Sequence, residues 1–425
     1  MKRIFAALEV RNYRLYATGS LISNIGTWMQ RVAQDWLVLA ITGSAGALGI
    51  TTGLQFLPIL VFSPIAGVFA DRYSKRSVLM VTQVAMAATA AALGVLAITN
   101  TVAEWHVYVL AFMFGTGAAF DTPARQAFVN ELIGKRLLPN AVALGSATFH
   151  LARTIGPSIA GGMIAALGSG VSATGWVILL NALSYFAVVV SLKQMRSEEL
   201  RPVPLVPRAK GQLRDGIRYV RSRPDIMLVM GIVFSAGTFG LNFQMTTALM
   251  ATKVYDKGAG EYGMLGSIVA IGSLAGALIA ARRTEVRQRL IVGAGIVFGA
   301  TTAVAGLMPS YLTFALILPL CGLAALTLIT AANAFVQMAV EASMRGRVMA
   351  LYMAVFMGGT PFGAPLLGWI ADHAGARWTM IGGGILTVVG TVLAVLLGAR
   401  RQGLVITRYV RSAIQRDPIG PVVTD

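Results

Sequence analysis

The sequence predicts an all-α membrane protein with twelve transmembrane helices in two pseudo-symmetric six-helix bundles. Three observations carry that prediction. The chain is too apolar for a soluble domain, its hydrophobic residues gather in twelve span-length runs, and its basic residues collect on alternate connections. Of 425 residues, 56% are hydrophobic and 12% charged, with a mean hydropathy of +0.71. A soluble chain carries about 25% charged residues.

A transmembrane helix needs about 20 mainly apolar residues. Such runs lie at roughly 15–41, 46–70, 77–99, 105–126, 141–168 and 174–194, then at 225–250, 262–281, 289–308, 311–333, 347–371 and 378–399. They are numbered here as spans 1 to 12. The residues up to Arg14 are polar and basic, and no small-residue cleavage site follows a short apolar core, so no removable signal peptide is expected. The runs divide the chain into an amino-terminal bundle (1–194), a basic linker (195–224), a carboxyl-terminal bundle (225–399) and a tail (400–425). An even number of spans puts both ends on one side. Connections on that side hold 30 of the 35 Lys and Arg, and the other side holds Lys253, Lys257 and Arg377. Basic loops stay cytoplasmic, so both termini are expected there. The formal charge of +18 then reads as an orientation signal and an attraction to anionic lipid, with no nucleic-acid partner.

Span 1 carries Asn24, Trp28, Arg31 and Asp35 at spacings of 4, 3 and 4, on one helical face, with Ser20 extending it and Gln34 beside it. An ionisable side chain in the bilayer costs on the order of 3 kcal/mol on insertion scales, so that face lines protein or water. For Arg31 and Asp35 three readings stay open: a salt bridge that locks the helix, an Asp35 that exchanges a proton or meets substrate, or snorkelling to the interface. Asp35 lies some 30 Å along the helix from Leu15, beyond the midplane. Span 2 ends in GVFADRYSKRSV, Gly67 to Val78, a short basic hairpin into span 3. Span 4 closes on GTGAAFDTPAR, Gly115 to Arg125, where Asp121 is placed to meet Arg72, Lys75 or Arg76 as a gate ion pair.

Span 5 carries Ser146, His150, Arg153 and Pro157 at the same helical spacing, running into GPSIAGG from Gly156 to Gly162. Arg153 falls about 18 Å from Ala141, near the midplane. A guanidinium there needs an acid, a carbonyl cluster or an anionic ligand. His150 either titrates near neutral pH or packs, and the glycines let helices approach closely. The second half offers uncharged stripes instead. Ser235, Thr238, Asn242 and Thr246 in span 7 either donate cavity hydrogen bonds or tie helices together, and Met349, Met353 and Met357 in span 11 form either a soft wall or plain packing.

The hairpin after span 2 resembles the signature loop Gly-x-x-x-Asp-Arg-x-Gly-Arg-Lys of the major facilitator superfamily. Gly67, Asp71, Arg72, Lys75 and Arg76 match, and Ser74 replaces a glycine. Gly156, Pro157, Gly161 and Gly162 resemble the Gly-Pro-x-x-x-Gly-Gly motif of its drug:proton antiporters. Span 4 resembles the family in Gly-x-Gly-Ala-Ala, but Ala111 and Phe114 stand where the family has arginine and glutamine. The proton-relay role of that arginine is therefore not carried over, and Arg153 is its candidate substitute. Asp121 and Arg125, with the run Asn24 to Gln30, look like the enterobactin-exporter and macrolide-efflux branch, the transmembrane secretion effectors. A shift of 207 positions lays Ala127-Phe128-Val129 on Ala334-Phe335-Val336 and Gly161 on Gly368, as parallel repeats would. By resemblance Asp71 faces the start of span 11 near Arg347 as a cytoplasmic latch. The second-half loop puts Ala280 opposite Asp71, so the latch is expected to be one-sided.

Cys321 stands alone in an apolar run and His106, His150 and His373 lie far apart, so neither a disulfide framework nor a metal centre is expected. There is no Ser/His/Asp grouping, no P-loop and no carboxylate pair at a membrane face, which argues against an enzyme and a self-contained ATP motor. The resemblance implies a secondary transporter in a bacterial cytoplasmic (inner) membrane, exporting an amphipathic drug or siderophore-like metabolite by alternating access, with proton antiport. Asp35, Arg31, Arg153, His150, Asn24 and Gln34 are then the coupling and cavity residues, and Trp28, Asn242 and Thr238 the substrate wall. No cofactor is expected, the partners are a small-molecule substrate, protons and membrane lipid, and the chain is expected to act as a monomer. Lysolipid or lipid transport and a transporter-derived sensor are the rival readings.

Overall fold

The computed structural model describes residues 5–134, 136–201, 212–281, 283 and 286–401. The predicted tail falls almost wholly outside them, as does the middle of the linker. Helices α1 (Arg11–Thr42), α2 (Ala45–Arg72), α3 (Lys75–Ile98), α4 (Glu104–Leu132), α5 (Leu138–Ala166) and α6 (Val171–Gln194) form the first half. The linker contributes a short amphipathic helix, α7 (Gln212–Ser222). Span 7 is interrupted: α8 (Pro224–Ser235) runs into a π-helical segment, Ala236–Gly240, then α9 (Phe243–Leu249) and a second π-helical segment, Met250–Val254. Helices α10 (Ala259–Ala281), α11 (Gln288–Gly306) and α12 (Tyr311–Ala339) follow. Span 11 is also divided, into α13 (Ala342–Gly358) and α14 (Thr360–Ala374), before α15 (Arg377–Arg401). The described residues contain no strand.

Among the described residues, nine helical stretches are long and apolar enough to cross a membrane on length and composition alone. The three predicted spans outside that group are α1, α4 and α5. Polar side chains lower their hydropathy: α1 and α4 carry buried ones, including Gln30, Gln34, Asp35, Asp121 and Glu131, and α5 carries the half-buried His150 and Arg153. Local chemistry marks the helix ends. Gly43, with φ at +63°, ends α1 in the left-handed region, and Ser44 caps α2 by accepting from Ala47 N at 3.1 Å. Ser74, which replaces the family's glycine, sits at the N-cap of α3.

Within the first half α6 packs on α1 and α3, and α2 on α4; within the second, α10 packs on α12 and α11 on α15. The halves meet chiefly along α2 with α14 and α5 with α10. Because successive spans alternate in direction, these contacts fall on the face opposite the termini, where α2 and α10 begin and α5 and α14 end. Gly161 and Gly263 permit that approach: a Cβ on Gly161 would stand 2.9 Å from Gly263 Cα. Toward the termini face the contact thins, since α2 packs much less on α13 than on α14.

The two interrupted spans pack against each other. The Thr238 carbonyl, in the first π-helical segment, presses on Gly363 of α14, and a Cβ there would overlap it. Gly363→Ala is therefore expected to cost about 1–3 kcal/mol, the usual penalty of overpacking, and to lower the melting temperature of the detergent-solubilised protein. Unchanged melting would count against this contact. Discontinuous membrane helices leave backbone groups available where they line a site.

Candidate functional site

Arg31 and Asp35 do not form the salt bridge that their spacing allows. Side chains on a helix lean toward its amino end, so the long Arg31 chain swings back over the preceding turn, away from Asp35. Its guanidinium carbon stands 4.8 Å from the Trp28 ring centre and 5.5 Å from that of Phe56 on α2. Base before acid is also the weaker order for a helical i, i+4 pair. Arg153, from α5, comes to 5.5 Å from the same Trp28 ring, and Phe149 meets that ring edge-on at 5.8 Å. The two intramembrane arginines predicted from separate spans thus converge on one indole. Gly156 makes room for this, since a Cβ there would stand 2.7 Å from Trp28 Cβ.

Asp35 turns the other way, across the boundary between the halves. It is 6% exposed, and Tyr262 Oη at the start of α10 donates to its Oδ2 at 2.7 Å. The Gln244 side chain of α9 also interacts with this carboxylate. Neither partner is legible from span 1, because both come from the second half. A tyrosine at the first position of the span 8 run was the local sign. Gln34 is buried, Asn24 and His150 half-buried. On the second-half side Asn242 Nδ2 donates to Thr238 O at 2.8 Å while its buried Oδ1 has no partner. The polar stripe predicted for span 7 sits on the interruption of that span.

The expected gate ion pair is corrected. Asp121 is paired within its own helix, accepting from Arg125 Nε at 2.9 Å, and across to α3 from Gln83 Nε2 at 2.8 Å and Thr82 Oγ1 at 3.0 Å. Arg125 also donates to Ser20 Oγ on α1 at 3.1 Å. Lys75 instead meets Glu131 at 3.0 Å, and Arg76 donates to Ser197 Oγ at 2.6 Å. A buried acid that already accepts from three donors on α3 and α4 needs no loop arginine. Loss of charge at Asp121 should cost on the order of 2 kcal/mol. Charge reversal there should be partly rescued by reversal at Arg125 and not at Arg72 or Arg76, measured as recovery of monodisperse protein. Rescue through Arg72 or Arg76 would refute this assignment. The Asp71 side chain lies outside the described residues, and Gly67 and Arg72 sit in the last turns of α2. Arg347, its expected counterpart, faces Asp215 of α7 at 3.5 Å.

The face opposite the termini carries a latch that sequence did not single out. Asp372, near the end of α14, accepts from Ala45 N at 2.9 Å, Gly46 N at 2.7 Å and Ser44 Oγ at 2.9 Å. A carboxylate thus caps the amino end of α2 from the other half, where the helix dipole favours it. Lys253 donates to Gly43 O at 2.6 Å beside it. Ser267 of α10 bonds Ser158 of α5 at 2.6 Å. Of the span 5 glycines, Gly161 serves this closure, Pro157 packs on Gly266, and Gly162 faces open space.

The family model described as transmembrane secretion effector matches residues 3–403. The chain is 30% identical over 398 residues to the multidrug efflux pump Tap of Mycolicibacterium fortuitum, covering 90% of this chain and 95% of that protein. It is 25% identical over 400 residues to the enterobactin exporter EntS of Citrobacter koseri, covering 92% of each. A bacterial homologue of the human lysosomal transporter Spinster superposes with a TM-score of 0.71 at 14% identity, covering 92% of this chain and 97% of that one. That last likeness is one of fold.

Proposed function

The chain belongs to the transmembrane secretion effector family and is a multi-pass membrane transporter, not an enzyme, and from that premise we propose that it exports amphipathic small molecules by proton antiport. The observation that carries this reading is Asp35, a buried carboxylate held by Tyr262 of the opposite half. A proton on Asp35 removes the charge that strengthens this bond, so protonation and separation of the halves act on one contact. The two bundles, 1–194 and 225–399, are the units that rock in alternating access. With the basic face in the cytoplasm of a bacterial inner membrane, the side where α2 packs least on α13 opens inward. Relatives that export drugs and a siderophore support an amphipathic substrate, and a monomer suffices because both halves of the site lie in one chain.

The test is transport by the purified protein in proteoliposomes. Labelled substrate should exchange in counterflow without a gradient and accumulate against its own gradient when a pH gradient is imposed. Binding without counterflow would make the protein a sensor, and counterflow with no response to pH would remove proton coupling.

A further inference from the structure

We propose that the substrates of this site carry an anionic group, which Arg31 and Arg153 bind together while an aromatic or apolar body lies on Trp28 and Phe149. The proposal names the substrate class of the transport site above and rests on that reading only for how the ligand moves. Both guanidiniums stand over one indole, at 4.8 and 5.5 Å. Among the described residues no carboxylate forms an ion pair with either. Arg31 Nε is buried with no hydrogen-bond partner.

Buried donors are almost always paired, and an orphan guanidinium nitrogen calls for a partner that the protein does not supply. Asp35, even ionised, offsets one of the two positive charges, and its Oδ2 is already engaged by Tyr262. At least one cation therefore stays uncompensated in a partly desolvated setting. A cationic ligand would meet two like charges on the ring it needs, whereas an acid can take guanidinium forks from two helices at once. Phe149 is 44% exposed and leaves an aromatic surface beside the charges for the body of such a molecule.

The test uses three dyes sharing one aromatic body: dansylglycine (anionic), dansylamide (neutral) and dansylcadaverine (cationic). Each is titrated by fluorescence anisotropy against the full chain in detergent. Dansylglycine should bind about tenfold more tightly than the other two, as a charge-assisted contact implies. Arg31→Met and Arg153→Met should each bring that preference toward unity while dansylamide affinity holds within about twofold. Arg31→Lys and Arg153→Lys keep the charge without the fork and should retain part of the preference, which guards against variants that fail to fold. Equal or tighter binding of the neutral or cationic dye by the unaltered protein would overturn the proposal. So would an anion preference unchanged in both methionine variants, because the anion site would then lie elsewhere. Dansylglycine counterflow separates the two readings: binding preference without counterflow defeats transport and leaves the anion site standing.

Discussion

Asp35→Asn is expected to abolish uptake driven by a pH gradient, by tenfold or more, while substrate counterflow persists. Asparagine keeps the shape and an acceptor oxygen for Tyr262 Oη, so the contact between α1 and α10 survives in geometry. What it loses is the ability to bind and release a proton. Counterflow needs only the conformational cycle of the loaded carrier, whereas gradient-driven transport needs the proton. Tyr262→Phe makes the complementary case: it removes the donor and leaves the carboxylate, so coupling should survive with altered rates. The measurement is paired flux assays on one proteoliposome preparation. Undiminished pH-driven flux in Asp35→Asn would sink the assignment.

Asp372→Ala should open the face opposite the termini. Its carboxylate accepts three hydrogen bonds from the first turn of α2 and its cap, and charge-assisted bonds contribute roughly 1.5–3 kcal/mol each when buried. This one is exposed to water, so the three together are worth on the order of 2 kcal/mol. Since the bonds exist only when the halves are closed there, the loss falls on one state and shifts the ratio of states by about 30-fold. Spin labels at Thr99 and Leu307, at the ends of α3 and α11 on that face, should report a longer distance in the variant. An unshifted distance distribution would show that the glycine contacts between α5 and α10 suffice without the latch.

Much of the fold was legible because a bilayer imposes a length and a polarity on every span, and the boundaries of α3 and α6 follow closely from hydropathy alone. The interruptions at Ala236–Gly240 and at Gly359 were not. Hydropathy stays high straight across both, since residues such as Thr238 and Asn242 are too few to lower the mean over a whole span. The direction of Arg31 was legible in principle from the lean of helical side chains, although spacing alone suggested the pair with Asp35. Asp121 was expected to pair with the loop after span 2 and instead pairs with Arg125 of its own helix. The nearest base in sequence, Arg125 one turn along, outcompetes a loop whose ordering would cost entropy.

Sequence by itself determined the number of spans, the gathering of basic residues on alternate connections, the family and the identity of the ionisable groups inside the spans. Those properties are set by composition within a segment of some twenty residues, which is the scale on which the bilayer selects. Only the tertiary structure decided what these charges face: Tyr262 for the buried Asp35, Trp28 for Arg31 and Arg153, the start of α2 for the exposed Asp372. Apart from Trp28 for Arg31, one turn back on α1, these partners lie on other helices, up to 328 residues away. A hydrogen bond a few ångströms long is fixed by how the halves pack, which no periodicity within one helix encodes.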